Sequence, residues 1–365
     1  MTKKSGKILF CAGGTGGHVF PAIAMAEEFE ARNFTVKFIT DSRAAKFFQP
    51  THYNYDIVES ATFSGGIWGK LKCILPLFIG FFQSLWLIIK YRPDAAIGFG
   101  GYPTVPPLIA AKLCGAKCFT HESNAILGLA NILLAPFVKY IFTTHEKTKG
   151  IKNWFQIKEK ITGNPVRALI RDLKNLEFPD GNEQIKIMVV GGSLGAKIFS
   201  NLVVDALCAL PEDIKNKLFI VQQSRREDTE KVIAQYKAAH IKSIIKEFYD
   251  DMPAHIKDTH LFIARAGAGT ITELTMAGRP AIYIPYPHNR DRQQFYNAEQ
   301  VVNEGGGWLM VEDQINKEQM TSLLEQILKD PKILALKGAN AQKLARPQAS
   351  QTLANLVIET LNISR

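Results

Sequence analysis

Twice in this chain of 365 residues an apolar run passes into a glycine-rich turn and then into a helix-like stretch. The first run is Lys7-Ile8-Leu9-Phe10-Cys11-Ala12, followed by Gly13-Gly14-Thr15-Gly16-Gly17. The second is Ile185-Lys186-Ile187-Met188-Val189-Val190, followed by Gly191-Gly192-Ser193-Leu194-Gly195. Strand, glycine turn and helix together offer free backbone N–H groups and the positive end of a helix to an anion, most often a phosphate. Meeting the unit twice predicts an α/β protein built from two nucleotide-fold halves that face one cleft.

Length and composition agree. A chain of this size accommodates two domains, and 46% hydrophobic with 21% charged residues is ordinary for a globular protein. The formal net charge of +10 favours acidic partners such as a phosphorylated substrate or anionic lipid. The aromatic and basic patterns of RNA-binding modules do not stand out, so no nucleic acid partner is expected. The cysteines Cys11, Cys73, Cys114, Cys118 and Cys208 lack CxxC spacing and sit among apolar residues, which predicts buried free thiols in a reducing compartment. The N-terminus enters a strand without a secretory apolar region, and a cytoplasmic protein is expected.

Cys73–Ile89 (CILPLFIGFFQSLWLII) is apolar apart from Gln83 and Ser84 and is bracketed by Lys70, Lys72, Lys90 and Arg92. It is short for a spanning helix, for which about 20 apolar residues are needed. Three readings stay open: a transmembrane helix, a buried core helix, and a helix whose outer face dips into the bilayer surface.

Strand-length apolar runs alternate with helical patterns throughout, the signature of parallel sheets with crossover helices. In the first half the expected strands are Lys7–Ala12, Thr35–Thr40, Ala95–Gly98, Lys117–His121 and Lys139–Thr143, with helices starting near Phe20, Ala44, Lys70, Thr104 and Asn124. In the second half they are Ile185–Val190, Leu218–Gln222, Ile244–Glu247, Leu261–Ala264, Ala281–Ile284 and Gly307–Leu309. Domains are expected at 1–167 and 168–347, with a one-sided apolar helix in 348–365 that packs back on the first.

In open α/β sheets ligands collect outside the strand carboxyl ends. Gly13–Pro21 (GGTGGHVFP) is an imperfect dinucleotide fingerprint, because Val19 stands where a third glycine belongs. Asp41 is loosely placed as a ribose ligand. More telling is His18 at the mouth of a helix, suited either to take a proton from a hydroxyl or to shape the loop. Phe99-Gly100-Gly101-Tyr102-Pro103, with Thr104 as a helix cap, and His121-Glu122-Ser123-Asn124 close further strands. Arg265-Ala266-Gly267-Ala268-Gly269-Thr270-Ile271-Thr272-Glu273 offers a cation, small residues and a helix start, all suited to a pyrophosphate. Glu273 is expected in that helix's first turn, either on a ribose or as ordinary helix-start chemistry. Gln293 and Gln294 can bind sugar hydroxyls. The chain has no Asp-x-Asp pair and no P-loop, so a diphosphate held by amides and arginines is expected. No cofactor is required, and assistance by a divalent ion stays open.

Taken in order, GGTGGHVFPAIAMA (13–26), GFGGYP (98–103), HESNAILGLAN (121–131), TGNPVR (162–167), GGSLGA (191–196), EFYDDM (247–252), RAGAGTITEL (265–274) and DRQQFYNA (291–298) resemble the MurG family of N-acetylglucosaminyltransferases of peptidoglycan synthesis. The resemblance implies the GT-B fold. It implies inverting transfer of GlcNAc from UDP-GlcNAc to the C4 hydroxyl of lipid I, giving lipid II, at the cytoplasmic face of the inner membrane. The first domain would then bind the acceptor and the membrane, and the second UDP-GlcNAc; other cell-wall synthesis proteins are further possible partners. The resemblance also assigns residues. Thr15, Gly16, Gly17 and Asn124 would reach the GlcNAc, and Arg167, Ser193 and Arg265 the diphosphate. Tyr249 would meet uracil through its backbone, Ala268, Gly269, Thr270, Ile271 and Thr272 the phosphate, and Glu273 the ribose. Gln293 and Gln294 would select the sugar. Gly13, Gly14, Gly100, Gly101, Tyr102 and Glu122 would form the acceptor site around His18 as base. Leu194 and Ser123 depart from the family, which often has Gln at both positions. The rivals are a UDP-GlcNAc 2-epimerase and a non-catalytic membrane-bound UDP-sugar binder.

Overall fold

The computed structural model describes residues 6–61, 67–180, 184–192, 196–249, 251–288 and 291–362, with 67–73 and Asn175 as backbone. The chain divides into two units, residues 1–167 with 346–365, and residues 168–345.

The first unit holds a sheet of seven parallel strands: β1 (Lys7–Cys11), β2 (Thr35–Thr40), β3 (Tyr55–Ile57), β4 (Ala95–Gly98), β5 (Lys117–Glu122), β6 (Tyr140–Thr143) and β7 (Glu159–Ile161), in the order 3-2-1-4-5-6-7. Both faces are covered, as parallel strands require. Successive β1 residues therefore enter opposite cores. Ile8 and Phe10 join Phe29, Phe38 and Phe99 beneath helix α1 (Gly16–Glu30), while Leu9 and Cys11 join Ile39, Ala96 and Cys118 on the other side. Helices α2 (Ile67–Tyr91), α3 (Val105–Leu113) and α4 (Leu129–Leu134) cover that second face. The C-terminal helix Ala349–Leu361 returns to the first, burying Leu353, Ala354, Val357 and Ile358 beside α1.

The second unit repeats the plan with six parallel strands, β8 (Ile185–Val190), β9 (Leu218–Gln223), β10 (Lys242–Lys246), β11 (Leu261–Ala264), β12 (Ala281–Tyr283) and β13 (Gly307–Leu309), in the order 10-9-8-11-12-13. Its core gathers Ile187, Val189, Ile220 and Ile263 with Phe199, Leu207 and Leu324. Arg279 is buried here, and among the described residues no carboxylate is bonded to it. Its guanidinium instead donates to the carbonyls of Ile256, Lys257, Ala277 and Glu177, tying the incoming chain to two helix C-termini.

Several expectations need correction. The helix expected from Ala44 is a single turn, Ala45–Phe47, and the short edge strand β3 follows it. Helix α1 begins at Gly16 rather than Phe20, and α4 begins at Leu129 rather than Asn124, because a loop held by Glu122 intervenes. Cys114 is exposed at the end of α3, whereas Cys11 and Cys118 are buried and burial pushes both thiol pKa values up.

Helix α2 is anchored along one narrow stripe. Gly80, Ser84 and Ile88 are buried at intervals of one helical turn. A Cβ on Gly80 would fall 2.0 Å from the Glu59 carbonyl oxygen, so only glycine allows this docking. Ile74, Leu75, Phe78, Phe82, Trp86 and Ile89 are all more than half exposed, which rules out the purely buried core helix. Ile74–Tyr91 is long and apolar enough to cross a membrane by length and composition alone.

Candidate functional site

The two doubly wound sheets share one topology, and it explains where the motifs lie. In each, strand order reverses between the first strand and its neighbour (β1 and β4, then β8 and β11), which is where such sheets bind ligands. The turns at 13–17 and 99–103 leave β1 and β4; Gly191–Gly192 and the turn at 265–269 leave β8 and β11. All four glycine-bearing segments therefore sit at switch points, one pair in each unit.

In the first unit the two turns interlock. Gly14, Gly100 and Gly101 have φ of +81°, +83° and +76°, where side chains are strained. A Cβ on Gly13 would meet Pro103 at 2.7 Å. Asp41 is buried at the end of β2, where one carboxylate oxygen accepts the Gly14 N–H at 2.8 Å and the other accepts Arg43 Nε at 2.6 Å. Its place is beneath the turn as a staple, which corrects the ribose-ligand reading. Thr15 precedes α1 in extended conformation and its side chain makes no cap bond. The first-turn amides of Gly16 and Gly17 have no intrahelical acceptor and face outward at the positive helix end.

The His18 ring lies against this junction. Its Nδ1 is 3.0 Å from the Gly13 carbonyl oxygen, an acceptor only, so Nδ1 carries the proton and Nε2 of the neutral ring holds the lone pair. The ring is within 3.5 Å of where Cβ atoms on Gly100 and Gly101 would stand. Tyr102 opens the short turn Tyr102–Thr104. Thr104 does not cap α3 with its side chain; its hydroxyl donates back to Gly101 O at 2.8 Å and braces the turn.

Glu122, at the end of β5, is 4% exposed. One oxygen accepts from Asn124 N and Nδ2 at 3.0 and 2.9 Å, and the other from Gly128 N and Asn131 Nδ2 at 2.8 and 2.9 Å. Asn131 in turn accepts from Thr120 and donates to His121 O. Nothing in the spacing singled out Asn131, which reads as an ordinary helix residue. Beside it His121 is fully buried, with Nε2 on Gly163 O at 3.1 Å; burial holds its pKa down to about 4 despite that bond. Between the ordinary 6.5 and about 4 the unfolded chain binds a proton that the folded chain refuses. The first unit should therefore lose on the order of 3 kcal/mol of stability as pH falls through that window. Denaturant midpoints at pH 7 and pH 4 check this, and a His121→Asn variant should show a flatter dependence.

In the second unit, Gly192 has φ +81° and Ser193, with Leu194, lies outside the described residues. The Gly191 amide donates to Gln223 Oε1 at 3.2 Å, and Gln223 Nε2 donates to Glu247 O at 3.2 Å. Gln223, unremarked in the sequence, thus ties the glycine turn to the segment carrying Tyr249. The Tyr249 phenol is buried against the carbonyls of Gln222 and Ile244, with its pKa pushed up to about 12 by burial; its backbone is what remains for a ligand.

Helix Ala268–Met276 starts after Gly267, so Ala268, Gly269 and Thr270 supply first-turn amides. A Cβ on Gly269 would touch nothing within 4 Å, so space is open over this helix start. The Ile271 side chain enters the core, and the Thr272 hydroxyl donates to Ala268 O at 2.8 Å. Glu273 is the sixth helical residue, not a first-turn one, and plain helix-start preference does not explain it. Arg265 is 8% exposed, paired with Glu312 at 2.5 Å and bonded to the carbonyls of Ile284 and Pro285. In that position it braces the loop. Gln294 Oε1 accepts the Tyr286 N–H at 2.9 Å, and Gln293 Nε2 donates to Asp291 at 2.7 Å. Buried Asn297, part of the DRQQFYNA segment but given no role there, donates to Ala266 O at 3.1 Å and ties this helix to the loop.

Known proteins match this arrangement across the chain. Residues 8–143 match the glycosyltransferase family 28 N-terminal domain, and 186–353 the glycosyltransferase family 28 C-terminal domain. The UDP-N-acetylglucosamine–N-acetylmuramyl-(pentapeptide) pyrophosphoryl-undecaprenol N-acetylglucosamine transferase of Rhodospirillum centenum is 38% identical over 96% of this chain and 93% of its own length. The crystal structure of Acinetobacter baumannii MurG aligns with a TM-score of 0.79 and 25% identity over 97% of this chain and 99% of that one. The UDP-GlcNAc 2-epimerase of Neisseria meningitidis, at TM-score 0.68 and 13% identity over 97% and 100%, shares the fold alone. The likeness to family 28 domains in both units, and to such transferases over nearly the whole length, places the rival epimerase outside the match. The chain belongs to the MurG family of UDP-N-acetylglucosamine-dependent N-acetylglucosaminyltransferases.

Proposed function

We propose that this enzyme moves GlcNAc from UDP-GlcNAc to the C4 hydroxyl of the MurNAc in lipid I, with inversion, to form lipid II. The observation that carries the chemistry is the 3.0 Å contact of His18 Nδ1 with Gly13 O, an acceptor, from which the tautomer follows. A single displacement needs a base on the attacking hydroxyl, and Nε2 is a lone pair held among glycines that let a sugar come close. It also needs the departing UDP diphosphate stabilised, which the first-turn amides of Ala268, Gly269 and Thr270 are suited to do without a resident cofactor. In this reading Gly13, Gly14, Gly100, Gly101 and Tyr102 line the acceptor site, and Glu273 holds the ribose. Gln293 and Gln294 select the sugar, Gln294 through the NH2 that its bond to Tyr286 leaves for a ligand.

Transfer of labelled GlcNAc to a short-chain lipid I analogue tests the reaction, with UDP-GalNAc as the competing donor. Product from UDP-GlcNAc alone is expected. Bound donor without transfer would favour the non-catalytic binder.

The same reading puts the enzyme at the cytoplasmic face of the membrane, where its lipid acceptor is anchored. The exposed face of α2 supports this, together with three segments that pair exposed apolar residues with cations: Lys112–Leu113, Phe137 with Lys139, and Ile157–Lys158. Burial lowers the Lys158 pKa, and Lys112 and Lys139 push it the same way, which marks the three as a cluster of positive charge. Because α2 is docked through Gly80 and Ser84, surface contact with anionic lipid fits better than spanning. Replacing Phe82 and Trp86 together by Asp should weaken binding to anionic phospholipid vesicles at least roughly tenfold. Turnover with a short-chain acceptor in solution should not change. Vesicle co-sedimentation measures the first effect, and unaltered binding would remove α2 from the membrane face.

A further inference from the structure

Arg167, the last residue of the TGNPVR segment, is half-buried, and among the described residues no carboxylate pairs with it. Its guanidinium carbon instead stands 5.1 Å from the centre of the Phe20 ring. Phe20 lies one turn into α1, is 39% exposed, and meets Phe47 edge-on at 5.5 Å. It also accounts for Gly16. That glycine does not have positive φ, so no turn demands it, yet a Cβ there would fall 2.8 Å from Phe20 Cε2. The glycine clears room for the ring, the ring holds the guanidinium, and both belong to the element whose first-turn amides face outward. A guanidinium held by a ring face through cation–π attraction spends none of its N–H donors on that contact and keeps them for an oxygen-rich anion.

We propose that Phe20 is a positioning residue: its ring holds the Arg167 guanidinium in place for the substrate diphosphate that the resemblance already assigns to that arginine. This rests on the proposed transferase reading, in which two substrates carry that chemistry: the nucleotide-sugar donor and the pyrophosphoryl-lipid acceptor. The resemblance favours the donor.

The test is a double-mutant cycle in the full chain, with KM measured separately for UDP-GlcNAc and for a short-chain lipid I analogue. Arg167→Ala should raise one of the two KM values roughly tenfold or more, and the substrate concerned identifies the diphosphate. Phe20→Leu should raise the same KM roughly two- to fivefold, with kcat at saturation unchanged and Phe20→Tyr close to wild type. The double variant should be no worse than Arg167→Ala alone. If Phe20→Leu destabilises the fold, Arg167→Lys replaces it, since Lys keeps the charge and loses the planar fork of donors. Additive effects, or a Phe20→Leu enzyme with both KM values unmoved, would overturn the positioning role. An Arg167→Ala enzyme with both unmoved would overturn the anion site itself. Absence of wild-type turnover in this assay would instead count against the transferase reading.

Discussion

His18→Ala is expected to lower turnover by roughly 10²-fold or more while UDP-GlcNAc binds almost as before. The reason lies in where the ring is held. Gly13 O orients Nδ1, and Gly100 and Gly101 pack beside the ring, so the imidazole cannot swing away from the turn. The substitution removes a lone pair and leaves the turn standing, because Asp41 holds the Gly14 amide independently of His18. A loss confined to kcat, with donor affinity retained by calorimetry, is the signature of a group acting in the transition state. A collapse of donor affinity with intact kcat would make His18 a binding residue. Gly100→Ala should reproduce part of the defect, since the new methyl would stand 3.5 Å from Nε2 in a backbone conformation with φ +83°.

The sheets were legible in the sequence because their strands are buried on both faces and read as continuous apolar runs. Thr35–Thr40, Ala95–Gly98, Ile185–Val190, Leu261–Ala264 and Gly307–Leu309 match the structure at both ends. Tyr55–Ile57 escaped because a three-residue edge strand next to polar His52 and Asn54 carries too little pattern. The glycine turns were legible for the opposite reason, as departures from pattern directly after a strand. What stayed hidden is the layer beneath them. Asp41, Gln223 and Asn297 each hold a loop through one or two hydrogen bonds, and they lie 27, 32 and 31 residues along the chain from what they hold. Such partners are set by the strand order, and local spacing carries no trace of it. The misplaced turn of Glu273 has a local cause: the helix starts at Ala268, directly after extended Gly267, so its first turn is complete before Glu273.

Glu122 is where that hidden layer has its largest expected consequence. A carboxylate is acceptor-only, and this one collects four N–H groups from Asn124, Gly128 and Asn131. Glu122→Ala leaves those donors facing a void, and a buried donor without a partner costs about 1–3 kcal/mol. The first unit should lose roughly 3 kcal/mol or more, with Tm falling by roughly 6–12 °C, and transfer should be abolished as the 124–128 loop loosens. Glu122→Gln separates this from proton transfer. Its amide turns one acceptor into a donor that faces other donors, so an intermediate loss of stability is expected, and the rate should fall by a similar factor at every pH. A Gln variant of wild-type stability whose pH–rate profile lacks one limb would show Glu122 exchanging protons with substrate. A uniformly lowered profile would place it among the residues that hold Asn124 in position, because a staple sets geometry and geometry does not titrate.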